Sequence, residues 1–106
     1  MDLAVIILNW NAAEDTIRCV QSITQWTQLH PTIWVVDNGS ADGSAERIST
    51  ACSNIHLIRN SFNLGYAGGN NRAISAALAQ GNAPLLFLNN DADITEANVS
   101  QLLETI

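Results

Sequence analysis

One pattern constrains this chain more than any other: short apolar runs that recur between segments of helical spacing. Leu3 to Leu8 is an unbroken apolar run rich in β-branched side chains. Ile33 to Val36, Ile55 to Ile58 (with His56 inside it) and Leu85 to Leu88 repeat the theme. Runs that do not alternate apolar with polar read as strands covered on both faces, the condition of a parallel sheet between helices. Between them Ala13, Ile17, Val20 and Ile23 form one helical stripe, and Ala45, Ile48 and Cys52 a second. Asn70, Ile74, Ala77 and Leu78 form a third, which Gly81 stops before Pro84 opens the next strand. Val99, Leu102, Leu103 and Ile106 form a fourth, with Thr95 as its N-cap and Ile94 placed to staple onto Val99. The expectation is a layered α/β fold of four mainly parallel strands alternating with helices. With 106 residues, 47% apolar and 13% charged, the chain suits one domain over residues 1–106 with one core, and not a disordered segment.

Every strand ends in small polar residues. The first gives Asn9-Trp10-Asn11, the second Asp37-Asn38-Gly39-Ser40, the third Arg59-Asn60-Ser61 followed by Asn63, and the fourth Asn89-Asn90-Asp91-Ala92-Asp93. In a parallel sheet these carboxyl ends share one edge, and open α/β sheets bind ligands there, where strand order reverses. Turn formation alone also favours Asn, Asp and Gly, so an interaction domain with a polar edge stays open beside a ligand site. Asp91-Ala92-Asp93 is the sharpest feature, because hard divalent cations take one or two carboxylates plus substrate phosphates.

Charge adds a constraint. Ten acids face four bases, all arginine, for a formal net charge of −6. That excludes non-specific nucleic-acid binding and polybasic membrane contact. A diphosphate at this edge would be repelled unless a divalent ion reversed the local sign.

The remaining stretches have two readings each. Asp37 leaves its strand with acceptor oxygens free for the N–H or O–H groups of a base or ribose. Asp42 or Gly43 caps the following helix, with Glu46 in its first turn. Gly68-Gly69 serves close approach to a ligand or tight helix packing. The Asn63 to Asn71 stretch is not a dinucleotide fingerprint, since it follows the third strand and its glycine spacing is wrong. Arg72 is read as facing a phosphate or, preferably, water, His30 and His56 as non-catalytic, Trp34 as core and Trp10 as flanking a base. Trp26 gives no signal.

Four stretches together resemble family 2 glycosyltransferases of the GT-A fold, particularly the rhamnosyltransferase-like bacterial branch. They are Val5 to Asn11, Val35 to Ser44, Asn63 to Asn71 and Phe87 to Asp93, in family order and at family-like intervals. The resemblance implies a Rossmann-like nucleotide-sugar-binding half. Asn9 and Asn11 would border the base, and Asp37 would bind base or ribose. Asn63, Gly68, Asn70 and Asn71 would line the nucleotide pocket. Asp91 would contact the ribose or help hold the metal, and Asp93 would ligate Mg2+ or Mn2+. The partner would be a UDP- or dTDP-sugar, and the reaction sugar transfer to a hydroxyl with inversion, in cell-surface polysaccharide synthesis. Ala73 departs from a glycine common in the family.

The family's general base lies well beyond the metal motif, and neither Glu96 nor Glu104 matches it. The expectations are therefore that the base lies past Ile106, that the chain is the N-terminal part of a longer enzyme, and that alone it binds nucleotide weakly and does not turn over. The edge of Leu85 to Leu88 would then be open to self-association. A nucleotide-binding module without catalysis is the remaining alternative. Cys19 and Cys52 read as reduced and buried. The acidic start, Met1-Asp2-Leu3, and an apolar run ending at Leu8 suit neither signal peptide nor membrane span, so a cytoplasmic location is expected, with attachment to the inner membrane face left open.

Overall fold

The computed structural model describes residues 2–105. Its elements alternate throughout: β1 (Ala4–Asn9), α1 (Ala13–Thr24), β2 (Thr32–Asn38), α2 (Ser44–Ala51), β3 (His56–Asn60), α3 (Gly65–Ala79), β4 (Leu85–Asn89) and α4 (Glu96–Glu104). These four strands pair in parallel, in the order β3-β2-β1-β4, and one isolated antiparallel bridge joins Asp2 to Ala83. The chain builds outward from β1 through β2 to β3, then returns to β1's other side with β4.

The strands are apolar on successive residues because both faces are covered. Val5, Ile7, Ile33, Val35 and Leu88 point into a core with Cys19, Val20 and Ile23 of α1, Ile48 of α2 and Val99 of α4. Ala4, Ile6, Trp34 and Val36 point the other way, against Ala73 and Ala77 of α3. Three helices therefore cover one face and a single helix the other. That imbalance leaves Phe87 of the edge strand β4 39% exposed. Trp26, silent in the sequence, completes the larger core. No helix among the described residues is long and apolar enough to cross a membrane.

The stripe expected for α3 shifts. Gly69, Asn70, Ala73 and Ala77 face the sheet, and Leu78 is exposed. Small residues win because α3 lies close to the strands: a Cβ on Gly69 would come within 2.9 Å of Leu8 and 2.8 Å of the Asn38 amide. Of the two readings of Gly68-Gly69, Gly69 takes tight packing. Leu102 is likewise exposed, while Val99 and Leu103 pack inward; Ile106 lies outside the described residues.

The helix ends follow local chemistry. Gly81, at φ 84, closes α3, its N–H reaching Leu78 O at 3.0 Å while Asn82 N–H reaches Ala77 O at 2.9 Å. Thr95 caps α4, accepting from Asn98 N at 3.2 Å. Before α2 the N-cap position is Gly43, at φ 80, and Asp42 accepts from Ser44 N at 3.0 Å. Glu96 reaches back from α4 to the loop after α1, taking N–H groups of Thr27 (3.3 Å), Gln28 (2.7 Å) and Leu29 (2.5 Å). These bonds, that of Leu29 foremost, hold its carboxyl below the usual range. Three ion pairs, Arg18–Asp15, Arg47–Glu14 and Arg59–Glu46, are exposed and contribute about 0–1 kcal/mol each; the two cores hold the fold.

Two outcomes follow from these positions. Gly39 and Gly43 share a positive φ, but a Cβ on Gly39 would meet the Phe62 backbone at 2.4 Å, whereas none is within 4 Å at Gly43. Gly43→Ala is expected to cost about 1–2 kcal/mol and Gly39→Ala ~3 kcal/mol or more, measured by urea unfolding. A carboxyl whose folded pKa is depressed contributes its full stability above the unfolded value and loses it as pH falls through the folded one. The difference in Tm between the wild type and Glu96→Gln is therefore expected to shrink steadily as pH falls from neutral into the acid range.

Candidate functional site

The carboxyl edge of the sheet is built on a buried polar pair. Asn9 and Asp37 face each other in register at the ends of β1 and β2, 0% and 3% exposed. Asn9 Nδ2 donates to Asp37 Oδ1 at 3.0 Å. Thr16 Oγ1, on the first turns of α1, donates to Asn9 Oδ1 at 2.6 Å and accepts from Asn90 Nδ2 at 3.2 Å. Ser40 donates to Asp37 through both its hydroxyl (2.6 Å) and its backbone N–H (3.2 Å). Asn11 holds the same loop: its N–H donates to Ser40 Oγ and its Oδ1 accepts from Ala41 N, both at 2.9 Å. It adopts φ 51, which asparagine tolerates better than most residues.

A second buried hub lies one residue along β2. Asn38 Oδ1 accepts from Asn60 Nδ2 and Leu64 N, both at 3.1 Å, and its Nδ2 donates to Asn63 Oδ1 (3.0 Å) and Gly65 O (3.1 Å). The loop into α3 is thereby fixed to the ends of β2 and β3. Arg72 is exposed, and its Nη1 also joins this hub, donating to Arg59 O at 3.0 Å and Asn60 Oδ1 at 3.2 Å.

Strand order reverses between β1 and β4, and a cavity of about 390 Å³ opens there. β1 contributes Leu8 and the loop after it Trp10, β4 contributes Leu88 and Asn89, and Tyr66 comes from the first turn of α3. Trp10 and Tyr66 are 53% and 55% exposed, two aromatic side chains on one hollow. Asn90 and Asp91 line this cavity and also a second one of about 310 Å³, which adds Asp93 and, from α1, Asp15, Arg18, Cys19 and Ser22. Burial, and then the nearby Asp91 carboxylate, push the Cys19 thiol up, so it remains protonated at neutral pH. Asp91 and Asp93 are exposed, and among the described residues no protein donor reaches either carboxylate. No group of three His, Cys, Asp or Glu among the described residues could hold a metal by itself. The donor set therefore fits a hard divalent ion that completes its shell with phosphate oxygens and water.

The structure thus gathers Asn9, Asn11, Asp37, Asn90, Asp91 and Asp93 at one edge, but gives them different work. Asn9 and Asp37 are bonded to each other, and the Asp37 oxygens are partly taken up inside the protein: Oδ1 accepts from Asn9 and the Ser40 hydroxyl, Oδ2 from Ser40 N. Asn63 serves the second hub, accepting also from Gly65 N at 2.8 Å. Gly68 is half-buried, its missing Cβ closest to Leu64 at 3.2 Å. Asn70 is buried with its Oδ1 unpartnered. Asn71 is not brought to the β1–β4 crevice; it lines a separate cavity with Trp34, Ile58, Arg72 and Ser75. His56 stacks on the Trp34 ring with centroids 4.3 Å apart. Sequence reasoning missed Thr16, Ser40 and Tyr66. Thr16 carried one usable signal, a polar residue one position before Ile17 of the apolar stripe.

Thr16→Val keeps the side-chain shape but removes the donor to Asn9 and the acceptor of Asn90. The expected loss is about 1–3 kcal/mol in urea unfolding, the cost of an orphaned buried polar group. Thr24→Val, on the exposed end of α1, is expected to stay within about 0.5 kcal/mol.

Comparison with known proteins agrees with this architecture. The family profile described as "Glycosyl transferase family 2" matches residues 4–106. A curated relative, the "Low-salt glycan biosynthesis hexosyltransferase Agl10" of Haloferax volcanii, is 33% identical over 102 residues. The alignment covers 95% of this chain and 31% of that protein, so the chain spans about a third of its relative's length. By the match of nearly its whole length, the chain belongs to glycosyl transferase family 2.

Proposed function

We propose that this chain forms the donor-binding part of a metal-dependent, inverting glycosyltransferase. Its donor is a hexosyl or deoxyhexosyl nucleotide, UDP- or dTDP-linked, and its acceptor is a hydroxyl in glycan synthesis. The observation that carries this reading is the cavity at the β1–β4 reversal, which is lined by two aromatic side chains and by Asp91, itself shared with the neighbouring cavity that holds Asp93. Open α/β sheets bind nucleotides in such crevices.

On this reading Trp10 and Tyr66 flank the nucleobase, and the Asn9–Asp37–Ser40 network ties the ends of β1 and β2 together beside the crevice. Asp91 and Asp93 hold a Mg2+ or Mn2+ ion against the diphosphate. When bound, that ion supplies the positive charge that steadies the departing diphosphate. Of the chain's own cations Arg18 lines the cavity with Asp91 and Asp93, where it pairs with Asp15. Arg18, Arg47 and Arg59 pair with acids and Arg72 with strand-end oxygens. In the overall exchange the acceptor oxygen bonds to the anomeric carbon opposite the diphosphate. The sugar–phosphate C–O bond breaks with its electron pair going to the diphosphate, and the hydroxyl proton passes to a base that we assign to no residue of this chain.

Calorimetry with UDP and with dTDP, in Mn2+ and in chelator, tests the reading. Binding of at least one nucleotide in Mn2+ is expected, weakened at least about tenfold by chelator. Asp93→Ala in Mn2+ is expected to match the chelated wild type. Equal binding with and without metal, or no heat with either nucleotide at ~1 mM, would overturn it.

A further inference from the structure

The residues between β4 and α4 are fastened at both ends to the surroundings of one helix. At the near end Asn90 Nδ2 donates to Thr16 Oγ1 on the first turns of α1 at 3.2 Å, and Ala92 N–H closes a turn onto Asn89 O at 3.0 Å. At the far end the Glu96 carboxylate takes three successive backbone N–H groups, of Thr27, Gln28 and Leu29, just past the end of α1. Successive N–H groups turned to one point form a concavity suited to an anion, and here a side chain of the same molecule fills it.

Between these ties the segment alternates. Ala92 and Ile94 are partly buried against the larger core, while Asp91, Asp93 and Thr95 are exposed. From Ala92 to Thr95 this is the two-residue period of an extended chain. Asp91 lies in the turn before it, and both carboxylates are exposed.

The Glu96 contact is more than helix capping. The α4 N-terminus already has Thr95 as its cap, and Val99 already anchors the helix in the core. What the triple bond adds is the place where the segment from Asp91 to Thr95 must end.

We infer that Glu96, with Asn90, is a positioning residue: the two hold Asp91 to Thr95, a turn followed by an extended stretch, as a strap along α1 that keeps the Asp91 and Asp93 carboxylates at a fixed separation and aim. This rests on the donor-site reading for what the carboxylates hold, but the strap itself is a property of the chain. Glu96 touches neither donor nor metal; it acts through Asp93.

The test uses the isotopically labelled chain and Mn2+ alone as probe. Two quantities are read for the amides of residues 91–95: their order by NMR relaxation, and the Mn2+ concentration that half-broadens them. In Glu96→Ala the five amides are expected to lose order, and the half-broadening concentration to rise about 10- to 100-fold, the usual cost of losing a residue that orients a metal ligand. Glu96→Gln, which keeps an acceptor oxygen but not the charge, is expected to fall between wild type and Glu96→Ala. A purely structural role would move the Tm and leave the Mn2+ response alone. Glu104→Ala, an exposed acid on the same helix, is expected to change neither readout.

Wild-type order and wild-type Mn2+ response in Glu96→Ala would overturn the strap. Failure of Mn2+ to broaden these amides in the wild type, with UDP present or absent, would instead overturn the metal part of the donor reading. The amide order in Glu96→Ala then still decides the strap, loosened amides supporting it and unchanged amides overturning it.

Discussion

The hydrogen bond between Asn9 and Asp37 is the contact around which the functional edge is organised. Two polar side chains, one of them a carboxylate, sit side by side at the buried ends of the central strands. Buried groups of this kind are tolerated only when paired. Pairing them draws in Thr16 from α1, Ser40 from the loop after β2 and, through Thr16, Asn90 from the segment after β4. Four elements that meet nowhere else in sequence are thereby fixed to one another. Inside a protein such linked bonds strengthen together and fail together, so the edge behaves as a single body.

Register carries this order to the acidic segment. β4 pairs with β1 so that Asn89 stands opposite Leu8, one residue short of Asn9. Asn90 is then the first residue of its chain able to reach the Asn9 network, and Asp91 the first that must leave it. A slip of one residue would invert the faces of Leu86 and Leu88, which belong to the larger core, so burial of two leucines indirectly sets where the carboxylates emerge. The cavity between β1 and β4 is thus a consequence of strand order, and its polar lining of strand register.

The strands and the location of the edge were legible because both depend on local pattern: apolar runs covered on two faces, each ending in Asn, Asp or Gly. The α3 stripe was legible only in part. Leu78 carries the stronger hydrophobic signal, but Gly69, Ala73 and Ala77 take the buried side because only small residues let the helix lie that close. The duties of the polar residues were hidden for a different reason. Asn9 and Asp37 are 28 residues apart, Asn90 and Thr16 are 74 apart, and Glu96 and Leu29 are 67 apart. No periodicity spans such separations. The composition of the edge could be read from the sequence, but not which residues form its frame and which face outward. Asp37 and Asp93 are both strand-end aspartates; the fold buries one among three donors and leaves the other exposed without one.

That difference has an electrostatic logic. The chain carries a net charge of −6, and its arginines already have partners. Asp91 and Asp93 stand exposed on one short segment, in a cavity whose lining also holds the Asp15–Arg18 ion pair. The segment is pinned by Asn90 at one end and by three N–H groups on Glu96 at the other, and Ala92 and Ile94 are drawn inward by the core. On the proposed reading a divalent ion meets both carboxylates on a segment already tied at its two ends, and its binding in turn stabilises the fold by mass action.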